Sequence, residues 1–240
     1  MIRSRRCSET PTGIGSTIIM SVRRTHFARR MAAAIFLPLA LAACASTGPG
    51  RDAALTPVVD PQVAQHYAAI ETEKFEIPAV PLNKLKQRNI RAQVDYPTDQ
   101  PPGTIIVDPN DKYLYLVQEG GKALRYGVGV GKAGLEFTGS ANVQYKRQWP
   151  RWTPTRDMIA RSPEINQQWA NGMEGGPENP LGARALYLFK DGQDTLYRIH
   201  GTNQPWSIGE AVSSGCIRMM NQDVIDLYSR VPDGSKVVVL

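Results

Sequence analysis

Cys216 and His200 are a pair of residue types able to make and break acyl bonds. Cys216 stands in the run Ser213-Ser214-Gly215-Cys216-Ile217-Arg218-Met219, and His200 lies 16 positions upstream in Ile199-His200-Gly201-Thr202-Asn203. A free thiol, with a pKa of about 8.5, is only slightly ionised at neutral pH, and an imidazole within reach makes it a far better nucleophile. The chain has three cysteines and three histidines, yet beyond residue 100 only Cys216 and His200 remain. One thiol and one imidazole are too few soft ligands for zinc. Neither Cys-x-x-Cys nor His-Glu-x-x-His occurs, so the expectation is no metal and no cofactor.

The neighbours of this pair divide between chemistry and architecture. Arg218 could clamp a carboxylate through its planar fork or hold a structural salt bridge. Ser213 and Ser214 could bond a substrate or satisfy loop backbone. Core packing is the commoner use of tryptophan; among Trp149, Trp152, Trp169 and Trp206, only Trp206, inside the His-to-Cys spacer, stands out for substrate contact. Tyr145 and Tyr187 are further candidates to face a cleft, and His66 reads as a surface residue.

The net charge of +6 is concentrated at the N-terminus. Seven of the 28 basic residues and one of the 22 acidic ones precede Cys44, leaving 21 of each sign. A balanced remainder gives nucleic-acid binding little electrostatic support. Arg23, Arg24, Arg29 and Arg30 lead into an apolar stretch, 31–43, too short to span a bilayer comfortably and typical of a secretory leader. It ends in Leu41-Ala42-Ala43-Cys44, which looks like a bacterial lipobox, whose cysteine is diacylated and becomes the new N-terminus; a plain signal peptide ending near Ala43 is the alternative. The expectation is a signal peptide over 1–43, with Met20 as an alternative start, a lipid-anchored tether and extension over 44–100, and a globular domain over 101–240. The compartment would be the periplasm. Ala45 after Cys44 resembles an outer-membrane rather than an inner-membrane sorting signal of enteric bacteria. Cys216 is then the one free thiol in an oxidising compartment, either a small buried hydrophobe or a working nucleophile.

The elements that must position the pair are mostly strands. Residues 104–108, 112–117, 123–130, 185–189, 196–200 and 236–240 read as strands, with turns at Gly120-Gly121 and Asp191-Gly192. One clear helix, 222–230, follows the cysteine run, with Asn221 as its expected cap. Residues 61–73 could form a short amphipathic helix and 156–170 another. The aromatic and Pro/Gly-rich segment 149–180 is long for a connection, either a substrate-covering lid or a packed excursion. The class is mainly β with one or two short helices, a β-sandwich.

The runs HGTNQPWSIG and SSGCIRM, with NPLGARALYL upstream, resemble the L,D-transpeptidase (YkuD-type) catalytic domain over residues 101–240. That family's pattern is His-Gly, a spacer, then Ser-His-Gly-Cys, an apolar residue, and Arg or Asn. The resemblance implies that Cys216 attacks the third residue of a peptidoglycan stem tetrapeptide, D-alanine leaves, and an amine resolves the thioester. His200 would draw the thiol proton, oriented by the carbonyl of Gly201. Main-chain N–H groups around Ser214, Gly215 and Cys216 would hold the oxyanion, and Arg218, Ser213 and Trp206 would contact substrate. Ser214 replaces the histidine usual before Gly-Cys, so His200 is the sole candidate base. The acceptor would be a second stem peptide or an outer-membrane protein. The same thioester given to water would make a carboxypeptidase or amidase, and a non-catalytic lipoprotein that binds stem peptides is a third reading.

Overall fold

Alternation of apolar and polar residues at period two shapes some of the strands of this chain. The computed structural model describes residues 60–132 and 137–240, all within a unit running from Ala54 to Leu240. The expected leader, Cys44 and the residues up to 59 lie outside the described residues. The strands are β1 (Ala92–Asp95), β2 (Ile105–Asp108), β3 (Tyr113–Gln118), β4 (Lys122–Gly127), β5 (Val130–Gly131), β6 (Gly139–Gln148), β7 (Arg184–Lys190), β8 (Gln193–His200), β9 (Ala211–Ser213), β10 (Ile217–Arg218) and β11 (Lys236–Val239). The helices are α1 (Pro61–His66), α2 (Arg156–Arg161), α3 (Pro163–Asn166) and α4 (Asn221–Arg230).

Nine strands form one sheet in the order β1-β4-β3-β2-β11-β6-β7-β8-β10, and β5 pairs with β9. Gly129, just past β4, exchanges two main-chain bonds with Arg218 of β10, at 2.9 and 2.8 Å. β4 is near one end of the strand order and β10 is at the other. The sheet therefore folds back on itself and encloses a core, the expected sandwich. Ile105, Leu114, Leu186, Ile199 and Val237 meet there with no exposed surface, and α4 adds Val224 and Leu227. Each such side chain contributes about 1.5–3 kcal/mol by leaving water.

Several elements differ from expectation. The ten-residue β6 carries its apolar signal at Ala141 and Val143, both buried, but Gln144, Lys146 and Gln148 dilute it. It joins β11 to β7 in the middle of the sheet. β1 pairs with β4, so the sheet begins before residue 101. The helix over 156–170 breaks at Ser162-Pro163, where proline has no N–H to give. Within 149–180, Asn179 donates to the carbonyls of Pro150, Met173 and Glu174, and Trp152 pairs its backbone with Met173; the segment is a packed excursion. Asn221 is not a cap but the first residue of α4, and its Oδ1 accepts from the Ala183 N–H at 2.9 Å.

The extension before residue 101 packs against the sheet as a strap. α1 ends at His66 because Tyr67 turns inward, burying its ring with Ile208 and Met220. His66 is not a surface residue: its Nε2 lies 2.8 Å from Oδ1 of Asp223, a fully buried carboxylate in the first turn of α4. Without that partner and Tyr67, whose hydroxyl donates at 3.3 Å, a buried charge would lack hydrogen bonds. Further along, Glu73 accepts from both Nη atoms of buried Arg184 and from Trp149 Nε1.

Candidate active site

β10 runs parallel to β8, with Ile217 beside Ile199 and Arg218 beside His200. Successive side chains point to opposite faces of a sheet. Ile199 and Ile217 enter the core, so His200 and Arg218 take the other face, and Cys216 immediately precedes β10 with its thiol against the main chain of Leu196 and Arg198 in β8. The register carries this face across the sheet: Ala185 lies beside His200, Tyr187 beside Arg198, and Tyr145 beside Tyr187. The rings of Tyr145 and Tyr187 stack at 4.4 Å, and the Arg198 guanidinium lies 4.3 Å over Tyr187. Both tyrosines thus share the face of His200 and Arg198.

His200 is 4% exposed, and its Nδ1 lies 2.5 Å from the carbonyl oxygen of Gly201. A carbonyl only accepts, so Nδ1 carries the hydrogen and Nε2 presents a lone pair. Burial, reinforced by the Arg218 and Arg198 charges, pushes the imidazole pKa down to about 3, against the pull of the Gly201 carbonyl. Cys216 is half-buried, its Sγ 4.0 Å from the carbonyl of Leu196. Burial pushes the thiol pKa up, while the Arg198 main-chain N–H and the charges of Arg198 and Arg218 pull it down less strongly. The resting pair is a neutral thiol and a neutral imidazole, so any attack by the sulfur would require its proton to move.

The loop before Cys216 is held by Ser213. That side chain is 2% exposed, donates from Oγ to the Cys216 carbonyl at 2.6 Å and accepts from the Gly215 N–H at 3.1 Å. Ser213 is therefore a staple of the loop and not a surface for substrate. Gly215 has φ +128°, a conformation open essentially to glycine alone. Its N–H is taken, so it is not an oxyanion donor; the N–H groups of Ser214 and Cys216 donate to no described residue and are the remaining candidates. Arg218 forms no salt bridge among the described residues. Its Nη1 lies 3.4 Å from Gln204 Oε1 and its buried Nε has no partner there, which leaves the fork available to a carboxylate. Trp206 projects from a one-turn 3-10 helix, 75% exposed, and Gly201 packs against Asn221 and Ala183.

Two residues escaped the sequence reading. Leu196 has φ +64° and is 62% exposed, at a bulge where three residues of β8 oppose Leu188 of β7. The bulge puts the Leu196 carbonyl against the thiol, as bulges beside functional sites re-aim groups. Its only sequence sign is Asp194, whose Oδ1 accepts the Leu196 N–H at 2.8 Å. Arg198 meets the same Asp194 through two bonds of 2.7 and 2.8 Å, a pairing visible in sequence only as two charges of equal strand parity. Among the described residues no three His, Cys, Asp or Glu side chains gather where they could hold a metal ion.

Known proteins match this chain across the region just described. The model of the YkuD L,D-transpeptidase catalytic domain matches residues 102–239. The probable L,D-transpeptidase YbiS of Escherichia coli (strain K12) is 32% identical over 62% of this chain and 48% of its own length. The probable L,D-transpeptidase YcfS of the same strain is 34% identical over 59% and 45%. The chain spans about half the length of the curated relatives it matches. A crystal structure described as a probable carnitine operon oxidoreductase from Brucella melitensis is 52% identical, covering 65% of this chain and 96% of that one, with a TM-score of 0.46. The oxidoreductase description belongs to that protein. Because the family model spans more than half of its residues, the chain belongs to the YkuD family of L,D-transpeptidase catalytic domains.

Proposed function

We propose that this protein is a periplasmic peptidoglycan L,D-transpeptidase with Cys216 as nucleophile and His200 as base. The observation that supports it most is the β8–β10 register, which sets Arg218 beside His200 and so brings the run that begins at Cys216 to the end of the histidine strand, with the imidazole lone pair at Nε2. Cys216 Sγ attacks the carbonyl of the third residue of a stem tetrapeptide while His200 Nε2 takes the thiol proton. The N–H groups of Ser214 and Cys216 receive the oxyanion; one such donor is typically worth about 10²–10³ in rate. Collapse breaks the peptide bond, His200 returns the proton to the departing D-alanine amine, and a thioester remains on Cys216. An acceptor amine then attacks the thioester, loses its proton to His200, and the proton goes back to the sulfur. Arg218 and the Tyr145–Tyr187 stack are the surface for the donor, with Trp206 at its edge.

Cleavage before Cys44 and its lipidation anchor the domain in the envelope, at the outer membrane, facing stem peptides and any outer-membrane protein that serves as acceptor.

The deciding experiment incubates the full chain and Cys216→Ala with purified disaccharide-tetrapeptides and reads products by mass spectrometry. Cross-linked dimer with loss of D-alanine, absent in the variant, is the expected result. Tripeptide without dimer would make it a hydrolase, and no product from either protein would overturn the reading. Cys44→Ala is expected to release the protein into the soluble periplasmic fraction; retention in the membrane would count against the anchor.

A further inference from the structure

Between Tyr187 and Phe189 of β7 the register of β8 slips, so that Thr195, Leu196 and Tyr197 stand opposite Leu188. Two side chains of β8 replace the ladder bonds lost there. Thr195 Oγ1 donates to the Leu188 carbonyl at 2.6 Å and accepts the Tyr197 N–H at 3.2 Å. Asp194 accepts the Leu196 N–H at Oδ1, and its two oxygens take Nη1 and Nη2 of Arg198 at 2.7 and 2.8 Å. The φ of +64° at Leu196 is one that leucine seldom adopts, so the bulge keeps its shape only where its surroundings hold it. The exposed Leu196 side chain does not supply that hold through apolar burial. Both residues that Asp194 grips then meet the sulfur. The Leu196 carbonyl lies 4.0 Å from Sγ of Cys216, and the main-chain N–H and the charge of Arg198 act on the same atom. Burial alone would raise the Asp194 pKa, but the bonds from Arg198 and Leu196 outweigh it and hold the carboxyl below its ordinary 3.8, so it is charged at neutral pH.

We propose that Asp194 is the positioning residue of the Cys216 sulfur, fixing the β8 bulge through Leu196 and Arg198 at once; the part this sulfur plays as nucleophile rests on the transpeptidase reading above. Asp194 touches no reacting atom. It presents the Leu196 carbonyl to the thiol hydrogen and the Arg198 N–H to the sulfur, and it offsets a guanidinium charge that would otherwise act on the thiol in full. The further charge acting on the sulfur is Arg218, on β10. His200, at the end of β8, and Tyr187, on β7 under Arg198, are both neutral.

The test compares the full chain with Asp194→Asn and Asp194→Ala. Asp194→Asn keeps an oxygen for the Leu196 N–H and loses the charge; Asp194→Ala loses both. The pH profile of Cys216 alkylation by iodoacetamide is expected to move to lower pH in both variants, because a negative charge is gone and Arg198 is unpaired. A merely structural role would leave that profile in place. With tetrapeptide donor, Asp194→Ala is expected to form the thioester about ten- to a hundredfold more slowly at an unchanged donor KM, as a misplaced reacting group does. Asp194→Asn is expected to keep most of the wild-type rate. Urea midpoints correct each rate for unfolded protein. An alkylation profile unmoved in either variant overturns the proposal. So does thioester formation by Asp194→Ala at the wild-type rate, or a loss in Asp194→Asn as large as in Asp194→Ala. If the wild type forms no thioester, the transpeptidase reading fails instead, and the alkylation profiles alone decide the role of Asp194. If Asp194→Ala does not fold, the profile of Asp194→Asn decides in the same way.

Discussion

The Nδ1–H of His200 donates to the carbonyl of Gly201, its neighbour in the chain, at 2.5 Å. The proposed base is oriented by its own backbone, so the site needs no acidic third member to set the tautomer. Nitrogen-15 NMR of the folded protein is expected to show His200 Nδ1 protonated and Nε2 bare from pH 7 down to about 4, since burial and two arginines hold the pKa near 3. An imidazolium signal at pH 6 would refute that state.

Arg218 is a removable part of that depression. Its guanidinium repels a proton on His200, so Arg218→Gln is expected to raise the His200 pKa toward the ordinary value near 6.5. The same substitution removes the fork proposed for a donor carboxylate, so KM for donor rises as well. A His200 titration unmoved by the change would mean that desolvation and Arg198 set it without Arg218.

The thiol titrates the other way. Burial raises the pKa of Cys216 above the ordinary thiol range. Alkylation by iodoacetamide at pH 7 is therefore expected to be slower than for a free cysteine peptide and to climb only at higher pH than the peptide's does. Rapid alkylation at neutral pH would show a standing thiolate and reverse the assignment of a neutral resting pair.

Gly201 leaves no room for a methyl group. A Cβ there would lie 2.2 Å from Asn221 Oδ1 and 3.1 Å from the Ala183 nitrogen. Gly201→Ala is expected to cost about 1–3 kcal/mol by overpacking. Adding Asn221→Ala is expected to return part of that loss, because it removes the clashing atom. Strictly additive urea midpoints would show that the two positions do not touch.

The strap is tested through Glu73. Its carboxylate neutralises Arg184, which is 5% exposed. Glu73→Ala leaves that charge buried without a carboxylate and is expected to cost about 3–5 kcal/mol. The pH dependence has a definite sign: Arg184 holds the Glu73 pKa below its ordinary 4.5. The stabilisation is present above pH 4.5 and is lost as pH falls below it. The variant should therefore show a shallower acid limb in chemical denaturation; an identical limb would remove Glu73 from the account.

Much of this could be read from residue order. The runs 105–108, 113–118 and 184–190 announce strands because their buried faces are nearly all aliphatic. Cys216 and His200 announce themselves because the domain offers no rival to either. Other features rest on contacts between residues distant in sequence. His66 looks solvated until Asp223, 157 positions away, is seen to need it. Asn221 looks like a helix cap until the Ala183 N–H claims its oxygen. Ser213 looks like a substrate ligand until the loop around Gly215 turns it inward. In each case short-range propensity was overridden by a buried polar group that required a partner.

The reciprocal bonds between Gly129 and Arg218 have a consequence for how the protein comes apart. They join two points 89 residues apart and hold the two-residue β10 at the far edge of the sheet. Such a short strand has little persistence of its own, so the cysteine loop acquires its shape only when the distant parts of the chain have met. Reactivity is thereby tied to cooperative folding: amide exchange at Arg218 will follow global opening, and a newly made chain carries an ordinary thiol until the whole sheet has closed.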